Sequence, residues 1–163
     1  MDLSSYNLED LLLAAIRSEE DSNQLYIKMA KKTKNGLLKD KLEFLAKEEN
    51  KHRQFIEELY ANHYPDNDLV LPKESPVPLP KIEFTEGTPI SKILNQAMGA
   101  EQSASEFYKS LATRYEAGNK IHNTLLYFSD MEIGHYKILK TEKESMERFE
   151  DADVYWPMVH AGP

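Results

Sequence analysis

Residues 44–52 read Phe-Leu-Ala-Lys-Glu-Glu-Asn-Lys-His, and residues 128–135 read Phe-Ser-Asp-Met-Glu-Ile-Gly-His. Each stretch places a Glu and a His three positions apart, Glu49 with His52 and Glu132 with His135. On a helix that spacing puts both side chains on one face, so both reach one point. Each pair sits on an apolar stripe: Leu45, Ile56 and Leu59 flank the first, and Leu125, Phe128 and Leu139 the second. About thirty residues before each pair stands another Glu, followed seven residues on by Tyr: Glu19 with Tyr26, and Glu101 with Tyr108. The copies are offset by 82 residues for the first Glu and the Tyr, and by 83 for the Glu-x-x-His pair.

Four carboxylates facing one core are untenable unless protons or cations compensate them, because a buried anion without a partner is strongly disfavoured. Two multivalent cations would do so directly. A four-helix bundle supplies such a site when a Glu comes from each of two helices and a Glu-x-x-His from each of the other two. A single Glu-x-x-His on a charged helix would ordinarily be a solvated face. Recurrence at matching apolar positions makes Glu19, Glu49, His52, Glu101, Glu132 and His135 the candidate metal ligands. Carboxylate-rich donors with one imidazole per ion suit iron or manganese, with zinc as a further fit.

The 3.6-residue periodicity predicts four helices, at about 7–34, 36–62, 89–117 and 119–148. Asn7 reads as an N-cap with Glu9 and Asp10 in the first turn, Asn35-Gly36 as a stop signal, and Gly118 as the end of the third helix. Thr88 reads as the cap of the third, ahead of Pro89 at its first position. Helices of that length run roughly 40 Å at 1.5 Å per residue. The crossover at 63–88 holds Pro65, Pro72, Pro76, Pro78 and Pro80, too dense for a helix. It is long enough to travel the bundle, which makes the second and third helices parallel while each hairpin stays antiparallel. The expected fold is all-α: a ferritin-like four-helix bundle in one domain, 1–163, followed from 149 by a tail. That tail, with Tyr155 and Trp156, is expected to pack on the bundle or on a neighbouring subunit, and Trp156 or His160 is a candidate cover for the metal-site entrance.

The remaining composition narrows the function. The chain has 163 residues, 40% hydrophobic and 29% charged, with a formal charge of −8. That charge argues against nucleic acid or an anionic membrane as partner. With no cysteine there is no disulfide, thiolate metal site or iron–sulfur cluster within the chain. No apolar run reaches the roughly 18 residues of a spanning helix, and the first residues lack a signal peptide's pattern, so the expected location is the cytoplasm. His63, His122 and His160 match no ligand spacing and read as surface residues.

The chain resembles the ferritin-like superfamily, and in particular the rubrerythrin and bacterioferritin families. The resemblance rests on Ala15-Ile16-Arg17-Ser18-Glu19-Glu20-Asp21-Ser22 with Tyr26, on residues 44–52, on Glu101-Gln102-Ser103-Ala104 with Phe107-Tyr108, and on Met131-Glu132-Ile133-Gly134-His135. It implies two iron ions bridged by Glu49 and Glu132, with Glu19 and His52 serving one ion and Glu101 and His135 the other. Three positions depart from the pattern. Ala104 stands where rubrerythrins usually carry an additional Glu, three residues after the third-helix ligand. No rubredoxin-like Cys-x-x-Cys pairs are present, so electrons would come from a separate electron-transfer protein. Asn50 stands where bacterioferritin usually has its haem-ligating Met, so no haem is expected.

Around the ligands, Tyr26 and Tyr108 are expected to give their hydroxyls to ligating carboxylates. Glu48 is a candidate to orient His135 from the opposite helix, with a plain surface role as the alternative. Three functions follow. One is a di-iron oxidoreductase acting on hydrogen peroxide or dioxygen. The second is a ferroxidase or iron-storage protein. The third is a metal-stabilised interaction module without catalysis. The expected assembly is a homodimer, with exchange of hairpins through the long crossover as one form.

Overall fold

The computed structural model describes residues 1–80, 82, 85 and 88–155, with side chains up to 148. Four helices make up the bundle: α1 (Leu8–Lys32), α2 (Gly36–His63), α3 (Ile90–Ala112) and α4 (Lys120–Tyr155).

Their ends follow local chemistry. Asn7 Oδ1 accepts the Asp10 amide at 2.8 Å, with Glu9 and Asp10 in the positive first turn of α1 and Lys31 and Lys32 in its negative last turn. Asn35 does not act as the stop signal expected of it. α1 has already ended at Lys32, where the Thr33 amide bonds Met29 O, and Asn35 instead caps α2 by accepting the Leu38 amide at 3.1 Å. Pro89, rather than Thr88, occupies the N-cap of α3 with no side-chain cap, while Thr88 Oγ1 pairs with Thr85 Oγ1. The third helix also stops five residues before its expected end at 117. The amides of Thr113, Arg114 and Tyr115 reach back only three residues, and Gly118, at φ 86, turns the chain into α4.

α4 runs on through 149–155, where a tail was expected. No Gly or Pro occurs between Gly134 and Pro157 to stop it, and Lys140–Glu144 and Lys143–Glu147 support the outer turns at i,i+4 spacing. The expected packing of the tail, and the positions of Trp156 and His160, lie outside the described residues.

α1 lies along α2 and α3 along α4; α1 also meets α3, and α2 meets α4. Cross-helix pairs give the directions. Going up α1 from Glu19 to Tyr26 means going down α3 from Tyr108 to Glu101. Going up α2 from Glu49 to His52 means going down α4 from His135 to Glu132. Within the hairpins, Asn23 meets Ala46, and Ser105 meets Ser129. All neighbours are therefore antiparallel, and α2 and α3 run parallel across the diagonal, as the crossover length predicts. This is the ferritin-like topology.

The core divides into two apolar clusters with a polar layer between them. One holds Leu11, Leu12, Ile16, Ile56, Leu111 and Leu125; the other holds Leu42, Leu45, Ile93, Leu94, Ala97 and Leu139. The crossover is part of this packing. Val77 is buried in the first cluster with Leu71 and Leu79 against it, and Ile82 rests on the second. Leu45, fully buried, backs the polar layer. Leu45→Ala should cost about 2–5 kcal/mol in unfolding free energy, read from urea denaturation of the metal-free chain.

Candidate metal centre

The polar layer contains all six sequence-predicted ligands. Glu19 projects from α1, Glu49 and His52 from α2, Glu101 from α3, and Glu132 and His135 from α4, each between 1% and 3% exposed. Two groups of four form. Glu19, Glu49, His52 and Glu132 offer ligand atoms within 4.8 Å of one another, as do Glu49, Glu101, Glu132 and His135. Glu49 and Glu132 belong to both groups.

The halves match closely. His52 Nδ1 lies 3.0 Å from Glu132 and 3.7 Å from both Glu19 and Glu49. His135 Nδ1 lies 3.0 Å from Glu49, 3.2 Å from Glu132 and 3.7 Å from Glu101. Both imidazoles thus turn Nδ1 inward, and their rings stack with centroids 5.8 Å apart. Buried Glu19 Oε2, Glu49 Oε1, Glu132 Oε1 and His52 Nδ1 make no hydrogen bond to any described residue, although they face one another. Convergent lone pairs without hydrogen-bond partners, with a carboxylate-rich donor set, fit two divalent or trivalent cations.

Without ions, the layer settles its charge with protons. Burial lifts Glu19 and Glu101 well above the usual carboxylate range, and the Glu49 charge adds to it. Burial also opposes the charges on Glu49 and Glu132. There, however, the close polar neighbours win (both histidines, with Glu19 for Glu49 and Glu101 for Glu132), and both groups are held low. Burial disfavours the His52 cation, but close contacts from Glu132, Glu19 and Glu49 overcome it and push its pKa up to about 12. His135 is raised in the same way by Glu101, Glu132 and Glu49. The metal-free layer therefore favours two imidazolium–carboxylate partnerships and two neutral carboxyls.

The tyrosines tie the hairpins together. Each lies two turns from the Glu of its own helix, yet Tyr26 donates to Glu101 and Tyr108 to Glu19. Burial and these carboxylates hold both phenols well above their ordinary pKa, so both stay protonated donors. Glu48 is open, from sequence, between orienting His135 and a surface role. It is buried on α2 but pairs with Lys51 at 2.6 Å, and His135 Nε2, like His52 Nε2, has no partner among the described residues. His63 meets the Tyr115 hydroxyl at 3.3 Å and His122 packs by Asn119 and Asn123, both away from the layer.

Sequence reasoning missed three supports. Phe128 lies against the His52 ring with centroids 4.2 Å apart. Ser105 and Ser129 share a buried hydroxyl pair at 2.8 Å, and Ser129 also bonds Ser105 O at 2.9 Å. Asn23, 82 positions before Ser105, donates to Ala46 O at 2.6 Å and fixes the other hairpin at the matching level. The repeat offset itself was the available signal, since it maps Ser105 onto Asn23 and Ser129 onto Ala46.

An antiparallel bundle of two hairpins, with Glu and His from all four helices meeting in its centre, defines a ferritin-like protein with the donor set of a paired-metal carboxylate site. The rubrerythrin family model matches residues 10–143, and the chain belongs to that family. It is similar to the solved structure of a hypothetical protein from Pyrococcus furiosus, at 32% identity and a TM-score of 0.78 over 91% of this chain and 95% of that one. No curated protein matches it. Among the described residues no helix is long and apolar enough to cross a membrane.

Proposed function

We propose that the protein is a non-haem di-iron oxidoreductase that reduces hydrogen peroxide, or dioxygen in its place, with electrons from a separate carrier protein. The observation that carries this reading is the sharing of Glu49 and Glu132 between two otherwise separate four-residue groups. Shared carboxylates would hold two ions close together, with Glu19 and His52 on one and Glu101 and His135 on the other. A ferrous pair supplies two electrons, the number that converts one peroxide and two protons into two waters. The chain's own part is positional and protic. Tyr26 and Tyr108 orient Glu101 and Glu19 through their hydroxyls, while Phe128 and the two apolar clusters exclude bulk water.

Ala104 favours a second reading, ferroxidase or iron binding. It is half-buried and offers no carboxylate three residues after Glu101, and Ser22 holds the same place after Glu19. The two readings separate on anaerobic ferrous loading followed by stopped-flow mixing. Oxidation by peroxide much faster than by oxygen supports the first, and the reverse order supports the second. Redox silence toward both would overturn each. Assembly size adds a check, because a dimer accords with enzymatic chemistry and a shell of many subunits with storage.

Cation uptake should depend on pH in a definite direction. The raised pKa values of His52, His135, Glu19 and Glu101 mean that these groups favour their protonated forms in the metal-free protein. An ion must displace those protons, so affinity rises with pH and falls as pH is lowered. Zinc titration in weak buffer with an indicator dye should show acidification on binding and weaker binding at pH 6 than at pH 8. Uptake without proton release would contradict the ligand assignment.

A further inference from the structure

We propose that a cleft beside the metal centre is a binding site for a small organic anion, a carboxylate on a short hydrocarbon chain. The cleft lies over the seam of α1 and α3, with Lys73, Glu74, Ser75, Leu79, Pro80 and Ile82 of the crossover forming its other wall. Its volume is about 330 Å³. That falls at the lower end of small-molecule sites, roughly 300–1,000 Å³. Peroxide or dioxygen would fill only a small part of it, since even a water takes just about 30 Å³ of liquid volume. The cleft is sized for something larger than the oxidant.

Both walls mix apolar and polar groups. On the α1 side stand buried Leu25, the half-buried hydroxyls of Ser18 and Ser22, and the ammonium of Lys28. On the crossover side stand half-buried Leu79 and Ile82 and the ammonium of Lys73. Arg17 also lines the cleft, but Asp21 engages its guanidinium at 2.9 and 3.0 Å. Lys28 and Lys73 form no ion pair with any described residue, and the carboxylate of Glu74 on the same wall is not paired with either. Two cations without an ion-pair partner among the described residues, at one partly apolar cleft on a chain of net charge −8, suit an anion with a hydrocarbon body. Ser22 lies three residues after Glu19, and Ala100 immediately precedes Glu101, so a bound molecule would lie one layer outside the centre.

The test uses the full chain loaded with zinc, which is diamagnetic, so its outcome does not depend on any redox activity. Methyl NMR during a hexanoate titration should show saturable shifts at Leu25, Leu79 and Ile82. Hexanol, lacking the charge, and inorganic phosphate, lacking the hydrocarbon, should each bind at least about tenfold more weakly, as loss of a charge-assisted contact or of apolar burial implies. The double variant Lys28→Glu/Lys73→Glu should lose hexanoate affinity by at least about tenfold. Both lysines are exposed, so the variant should keep the methyl spectrum of the remaining core. Absence of saturable shifts, equal binding of hexanol or phosphate, or undiminished affinity in a folded variant would each overturn the proposal.

Discussion

Glu49→Ala is expected to abolish paired cation binding, leaving at most one weakly held ion, whereas Glu101→Ala should leave one ion tightly bound. The difference follows from membership of the two groups. Glu49 belongs to both and approaches both imidazoles, at 3.7 Å from His52 and 3.0 Å from His135. Its removal strips a donor from each half and leaves two buried histidines short of a carboxylate. Glu132→Ala should behave like Glu49→Ala for the same reason. Glu101 belongs to one group only, so Glu19, Glu49, His52 and Glu132 stay complete without it. Elemental analysis after desalting, with calorimetric titration, reads the stoichiometry directly. A Glu49→Ala protein that retained two tight ions would refute the shared-ligand arrangement.

The second large effect is on stability. Ions that bind the folded chain and not the unfolded one stabilise it by mass action, by about 4.1 kcal/mol per site at a thousand times Kd. Two such sites give about 8 kcal/mol, which for a chain of this size is roughly 15–30 °C in Tm. The metal-free chain should still fold, because protons already balance the buried layer: two neutral carboxyls, with an imidazolium for each remaining carboxylate. Thermal unfolding with excess chelator and with excess ferrous ion, both anaerobic, measures the gap. Coincident transitions would show that the layer is an ion-pair network with no linked cation.

The central layer was legible in the sequence because the physics there is restrictive. Ionisable residues on apolar stripes need a common partner, and the 82- and 83-residue offsets placed them at one level of a bundle. The long proline-rich crossover likewise fixed the diagonal relation of α2 and α3. What escaped was decided by tertiary geometry or by competing local options. Spacing along α1 and α3 put Tyr26 and Tyr108 on the right faces but could not show that each hydroxyl crosses to the other hairpin's Glu. Glu48 precedes a ligand and so suggests a histidine partner, yet its carboxylate pairs with Lys51, one turn on. Asn35 satisfies both a stop and a start pattern, and only the fold shows that it starts α2. The burial of Val77 within a proline-rich segment has no periodic signature at all.

The crossed tyrosine contacts and shared carboxylates carry a consequence for how the molecule matures. Neither half of the polypeptide owns a finished cation site, because every group of four draws on both. Hairpins rest on neighbour contacts and can form early, while their mutual docking closes a much longer loop. On the proposed function, tight ion capture would wait until the halves have met, because a chain with only one intact half lacks a complete group of four.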